Sequence, residues 1–297
     1  MKRSDFLRTS ALLLGGAVIP SRFINANGLL AETPQLKEIA PGTGIYSEKG
    51  GTIMWQIKDG IISVVDSQFP DTAQNFLKAF KTKSKKKIDY LFNTHHHRDH
   101  VSGNAVLRPD VKTIVAHENC VKLQKEFFTP GAGSTLVTAD KTYSTSWKSG
   151  SIQLYYLGNA HTGGDSIVHF TNVNFAHLGD LVFNKVYPFI DSKGGGSITG
   201  WITTLEKVEK KFGKETKFVF GHASSSEFLT GDISSVTEMR TYLSALLDYA
   251  KMIHKQGRVL ADASAVKFIP GASERKEMWE GALKLNIEAA YKEVTGT

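Results

Sequence analysis

Short apolar runs punctuated by turn residues dominate the chain from about position 43 to 220, and apolar spacing of helical type takes over after about 232. Thr43 to Ser47, Thr52 to Lys58 and Ile61 to Asp66 read as three strands joined at Gly50-Gly51 and at Asp59-Gly60, the latter a hairpin signal. Asp71 to Lys81 places Ala73, Phe76, Leu77 and Phe80 on one helical face, with Asp71 as N-cap. Ile88 to Asn93 and Thr113 to Ala116 predict strands, and His117 to Phe128 a helix. The Gly-, Thr- and Ser-rich stretch Thr129 to Ser146 predicts a flexible connection. Ile152 to Leu157, Ser166 to Phe170 and Val173 to Leu178 read as strands, Ile198 to Phe212 as an amphipathic helix, and Lys217 to Phe220 as a strand. Segments 232 to 256 and 272 to 294 predict long helices.

Strands and helices therefore alternate through two successive halves, which is an α/β pattern. Two sheets packed face to face with helices outside would bury both sets of apolar strands. No Pro/Gly linker separates the halves, so residues 27–297 are expected to form a single domain, with C-terminal helices from about 232.

The N-terminus departs from this pattern. Lys2, Arg3 and Arg8 precede the apolar run Ala11 to Ile19, and the small, polar stretch Pro20 to Asn27 follows. That is the layout of an export signal, and the run falls short of the roughly 20 residues that a membrane span requires. Arg3-Ser4-Asp5-Phe6-Leu7-Arg8 is similar to a twin-arginine motif with the second arginine replaced. Cleavage after Ala26, or after Ala31, would give a periplasmic or secreted protein with no stable membrane insertion. Removing residues 1–26 changes 36 basic and 29 acidic side chains to 32 and 28, so the formal charge drops from +7 to +4. The lysines of Lys81 to Lys87 lack interleaved aromatics and read as a solvated helix end, so no nucleic-acid partner is expected. Cys120 is the one cysteine, which excludes an intrachain disulfide, and it reads as a buried small residue.

Candidate chemistry is concentrated in Thr94-His95-His96-His97-Arg98-Asp99-His100, directly after a predicted strand. In an extended chain His95, His97 and Asp99 share one side, while His96 and Arg98 face away. Three more possible ligands follow β-type runs: His161, Asp180 and His222. Imidazole and carboxylate suit zinc, and seven such groups are too many for one tetrahedral ion but suit a pair. His96, His117, His169, His177 and His254 read as ordinary structural histidines.

His95-x-His97-x-Asp99-His100 followed by His161, Asp180 and His222 resembles the full ligand set of the metallo-β-lactamase-fold hydrolase superfamily, over roughly residues 40 to 225. The resemblance implies an αββα sandwich. It implies one metal on His95, His97 and His161, a second on Asp99, His100 and His222, and Asp180 as bridge. Two Zn2+ ions are the expected cofactors, with iron or manganese as substitutes. A shared water of lowered pKa, ~7 in zinc enzymes, would supply hydroxide to cleave an ester, thioester, lactone or amide bond of a small-molecule substrate. Asp99 would be the catalytic carboxylate that orients the hydroxide and passes a proton to the leaving group. Asp66, Asn104 and Thr162 are candidates to orient the imidazoles. Asn184 to Trp201, with Tyr187, Pro188, Phe189 and glycines 194–196, reads as a mobile loop lining the cleft, and Lys185 and Lys193 as solvated.

Asp180 makes the set similar to the broad group containing glyoxalase II, lactonases, sulfatase-like and phosphodiesterase members. The β-lactamases with a cysteine ligand carry it at that position, with a lysine three residues later where this chain has Phe183. β-Lactamase activity, a mononuclear iron sulfur dioxygenase and a non-catalytic metal-binding protein remain the alternatives.

Overall fold

In the computed structural model, which describes residues 36–129, 135–258, 260 and 264–297, neighbouring residues of the central strands enter different cores. The first sheet runs in sequence order through β1 (Lys37–Ala40), β2 (Thr43–Tyr46), β3 (Ile53–Lys58), β4 (Ile61–Val65), β5 (Ile88–Asn93), β6 (Val111–His117) and β7 (Lys141–Tyr143). Its first four strands pair antiparallel, and β4 to β7 pair parallel. Ile45, Met54, Val65, Phe92 and Val115 face the second sheet. Their neighbours Tyr46, Trp55, Val64, Leu91 and Ile114 pack outward with Phe76 and Phe80 of helix α1 (Pro70–Phe80). This is the two-residue period of a strand with both faces covered.

The second sheet has the order β15 (Thr230–Gly231), β13 (Lys217–Val219), β11 (Phe175–His177), β10 (Ile167–Phe170), β9 (Ile152–Tyr155) and β8 (Ser146–Ser149). Leu154, Val168, Phe170 and Val219 meet the first sheet. Ile167, Ala176 and Phe218 face the outer helices α5 (Ile198–Lys211), α6 (Ile233–Lys255) and α7 (Ala282–Thr295), which contribute Trp201, Leu243 and Ile287. The layers are α, β, β, α, as expected. Burial worth ~1.5–3 kcal/mol for each large apolar side chain offsets the desolvation of polar groups at the sheets' common end.

Three departures from the sequence reading have local causes. Strands β1, β7 and β8 were not predicted, because they are short and partly exposed and carry no apolar alternation. The predicted connection Thr129 to Ser146 thus contains β7, while its residues 130–134 lie outside the described part. The last helix begins at Ala282, not 272, because Gly281 takes a left-handed φ of 79° and the preceding stretch is tied elsewhere. There the buried Arg275 donates to the carbonyls of Phe183 (2.8 Å) and Val186 (3.2 Å). The predicted export signal, residues 1–26, lies outside the described residues. Among the described residues no helix is long and apolar enough to cross a membrane.

Candidate metal centre

Strand direction explains why the candidate ligands meet. Strands β4 and β5 are parallel, as are β11 and β13, while β9 and β11 both run antiparallel to β10. The C-terminal ends within each sheet therefore coincide, and Asp66, His95, His161, Asp180 and His222 all lie just beyond such ends. Backbone hydrogen bonds from Thr52 to the Gly221 carbonyl (2.9 Å) and from Ser166 to the Thr94 carbonyl (2.7 Å) fasten the two sheets here.

Three ring nitrogens form the first group. His97 Nδ1 lies 3.0 Å from both His95 Nε2 and His161 Nε2, and Asp180 Oδ2 lies 3.8 and 3.5 Å from those two nitrogens. An ion bonded tetrahedrally at ~2.0–2.1 Å spaces its donors by about 3.3 Å, so the four atoms fit one ion. In the second group His222 Nε2 is 3.0 Å from Asp99 Oδ2, and His100 Nε2 is 3.6 Å from it. Asp180 belongs to both groups: its oxygens are also 3.2 Å from His100 Nε2 and 3.4 Å from His222 Nε2. Its buried Oδ1 has no well-aligned donor, as a ligand oxygen would. All seven side chains named from the sequence thus converge in two adjoining sets. Gly221 is required beside them, since a β-carbon there would collide with Asp180 Oδ1.

The far nitrogens of four rings decide which nitrogen carries the proton. His97 Nε2 donates to Asp191 Oδ2 (2.9 Å), His100 Nδ1 to Asp66 Oδ2 (2.7 Å) and His161 Nδ1 to the Phe189 carbonyl (2.9 Å). Thr94 Oγ1 gives its hydrogen to Asp66 Oδ2 (2.7 Å), so it accepts from His95 Nδ1 (3.0 Å). With those protons turned outward, the inward nitrogens of His95 and His161 each face that of His97 as lone pairs 3.0 Å apart, which repel unless a cation lies between them. Burial, and then the charge of His100, holds His95 well below the usual imidazole range, and burial followed by His97 holds His161 at about 3. For His100 and His222 burial acts downward as well, but Asp180 and Asp99 outweigh it, lifting His100 well above its ordinary value and His222 to about 9. The carboxylates thus demand positive charge at this point.

Asp66 holds its place with φ 62°, in the left-handed region that Asp tolerates better than most residues. It also accepts from the Thr94 backbone (2.8 Å). The other two expected positioning residues reach no imidazole. Asn104 bonds to Ser67 (2.8 Å), Asn93 and the Val137 carbonyl, and Thr162 bonds to Asp165 (2.7 Å) in the turn after His161. His117 caps helix α4 (Glu118–Phe127), His169 bonds Asn174, and His177 links the Thr52 carbonyl to the Gly179 amide, all structural roles. Burial pushes the Cys120 thiol up, which keeps it protonated.

Asp191 was not singled out from the sequence, although it is the one acid between Asp180 and Glu206. It accepts from His97, lies 3.4 Å from His96 Nε2 and receives the Gly194 amide (2.9 Å). The loop around it is not loose. Gly194 packs so closely on the Asp191 carboxylate that a β-carbon would clash, and Gly163 and Gly196 bond to Gly194 and Asp191 (2.7 and 2.8 Å). Tyr187, Pro188 and Trp201 are buried with the outer helices, leaving Phe189 at the cleft. Lys185 pairs with Glu238 (3.8 Å). Asp191→Asn is expected to lower metal affinity by ~10–100-fold while the fold persists, as losing an outer hydrogen-bond partner does; chelator competition on the folded variant measures it, and unchanged affinity would contradict the role.

The family model described as Metallo-beta-lactamase superfamily matches residues 64–222. The 2,4-dinitroanisole O-demethylase subunit alpha of Nocardioides sp. (strain JS1661) is 28% identical over 130 residues, 42% of this chain and 38% of that protein. The chain thus spans well under half of that relative. Among solved structures, a double mutant of the sec-alkyl sulfatase PisA1 has a TM-score of 0.71 at 16% identity, covering 89% of this chain and 50% of the other. A metallo-beta-lactamase from Pontibacter korlensis has a TM-score of 0.59 at 19% identity, covering 71% of this chain and 99% of the other. At these identities the likeness shows the fold.

Proposed function

This chain belongs to the metallo-beta-lactamase superfamily of metal-dependent hydrolases, and from that premise we propose that it holds two zinc ions and cleaves an ester, thioester, lactone or amide bond of a small molecule. The observation that carries the reading is the set of three inward lone pairs on His95, His97 and His161, each fixed by a partner on the far side of its ring. His95, His97 and His161 would hold one ion and Asp99, His100 and His222 the other, and Asp180, within 3.5 Å of His161, His100 and His222, would serve both. Bound zinc would lower the pKa of a shared water to ~7 and so supply hydroxide at neutral pH. This chain's residues do the rest. Asp99, a quarter exposed at the cleft, moves the proton from the attacking water to the leaving group, so that one water is consumed and acid and alcohol, thiol or amine depart. Phe183 stacks on His222 with ring centroids 5.3 Å apart, so the position where the cysteine-ligand β-lactamases place a cation offers only an apolar face. That favours the broad hydrolase reading over β-lactamase activity.

The test is metal analysis of the purified protein beside a hydrolytic screen of esters, thioesters, lactones, β-lactams and phosphodiesters. Because of the partial relative, 2,4-dinitroanisole joins the screen. Two equivalents of zinc and turnover that chelator abolishes are expected; iron with oxygen consumption on a persulfide would overturn the reading. His97→Ala is expected to lose metal and activity together. Residues 1–26 would direct the enzyme to the periplasm or the medium, and cell fractionation checks this by locating a shortened chain outside the cytoplasm.

A further inference from the structure

Two clefts flank the candidate centre and differ in chemistry. One, on the Asp99 and His222 side, is the more polar and the more open of the two, with Glu48, Arg98 and Asp99 beside Phe69, Leu229 and Met278. The other is an apolar pocket of about 350 Å³ beside His97, near the lower end of the ~300–1,000 Å³ that small-ligand sites span. Its walls include Phe127, Leu136 and Phe189, which are 41%, 37% and 45% exposed and are among the few large apolar side chains left open to solvent in the described residues. Exposed apolar side chains gathered around one concavity mark a binding surface rather than random scatter.

Two polar groups of this pocket, His96 and Arg98, come from the positions that the ligand spacing turns away from the metals, and His97 and Asp191 line it as well. His96 lies against the pocket and the Phe127 ring, is 7% exposed, and its Nδ1 has no hydrogen-bond partner. Arg98 is exposed, lines both clefts and has no ion-pair or hydrogen-bond partner for its guanidinium among the described residues. Lys193, also without such a partner there, stands at the same pocket. The one carboxylate in the lining, Asp191, is engaged by His97 and the Gly194 amide, so an apolar hollow with two unpaired cations at its rim, next to a hydrolytic centre, selects one kind of molecule.

We propose that the substrate is an amphiphilic anion, with its aryl or alkyl group in the pocket between Phe127, Leu136 and Phe189 and its negative group met by Arg98 at the junction of the two clefts. This rests on the hydrolase reading for the meaning of "substrate", but the pocket itself can be probed without turnover.

The metal-loaded protein is titrated with 8-anilinonaphthalene-1-sulfonate and with the uncharged N-phenyl-1-naphthylamine, following probe fluorescence. Saturable binding of both is expected. Arg98→Gln should weaken the sulfonate at least tenfold and leave the neutral probe within twofold, whereas Phe127→Ala combined with Phe189→Ala should weaken both at least fivefold. A sulfonate affinity unchanged in Arg98→Gln, or probe binding indifferent to the loss of both rings, overturns the proposal. Thermal melting of the three proteins shows that these exposed changes leave the fold intact. If the probes behave as expected but the zinc-loaded enzyme hydrolyses nothing, the hydrolase reading fails and the pocket stands. If hydrolysis proceeds and the variants alter neither probe binding nor the preference for anionic aryl substrates, the pocket assignment alone fails.

Discussion

Asp180→Asn is expected to leave one tightly held metal equivalent where two are expected in the parent protein, with turnover falling by more than the ~10–100-fold that loss of an outer partner costs. The side chain is 4% exposed, and its oxygens lie 3.2 to 3.8 Å from the inward nitrogens of His95, His100, His161 and His222. An asparagine keeps the shape but removes the charge and replaces one oxygen by an amide nitrogen, whose hydrogens cannot bind a cation. The group that suffers most is the second, because the first retains three imidazoles on held rings while the second retains two and Asp99. Metal content after dialysis, alongside kcat on whichever substrate the screen identifies, measures both effects. Two full equivalents in the variant would contradict the sharing of Asp180.

The residues readable in the sequence were those fixed by short-range order. The two-residue spacing sets His95, His97 and Asp99 apart from His96 and Arg98, while His100 reaches the site only through the short helical turn Arg98–Val101 and was legible from the family pattern. The later three were found because each follows an apolar run, and the strand directions explain why that clue works. The alternation of Tyr46 with Ile45 and of Trp55 with Met54, one to each core, belongs to the same local physics, and the layered fold followed from it.

The contacts that local sequence does not show are the long-range ones. Asp191 is 94 residues from His97, and nothing adjacent in the chain shows that its carboxylate receives the His97 ring. Asn104 and Thr162 stood next to ligands in sequence and were assigned to them, but adjacency in sequence does not aim a side chain, and both turn to other loops. The glycines 194–196 predict a mobile loop, but their lack of side chains instead allows the loop to close on Asp191 and Gly163. Trp201 shows the same limit: an aromatic in a glycine-rich region looked like a cleft residue, yet it is fully buried with its indole donating to the Leu181 carbonyl (2.9 Å).

Asp99→Asn provides the sharpest test of the chemistry, because it separates the holding of a metal from the transfer of a proton. Asp99 Oδ2 lies 3.0 Å from His222 Nε2, its side chain is 25% exposed, and it lines the polar cleft, so one carboxylate faces both the second metal group and the place where a leaving group would depart. Asparagine still offers an oxygen to a cation but cannot carry a proton. If proton delivery is the role, kcat should fall by ~10²–10⁴-fold on substrates with poor leaving groups such as alkoxides. On 4-nitrophenyl esters, whose leaving group departs without protonation, the fall should be far smaller. A plot of log kcat against leaving-group pKa should therefore steepen in the variant, with metal content near that of the parent. A uniform loss across leaving groups, accompanied by loss of one metal equivalent, would instead reduce Asp99 to a ligand. The proton would then have to travel through another group on the polar cleft, with Glu48 as the remaining carboxylate there.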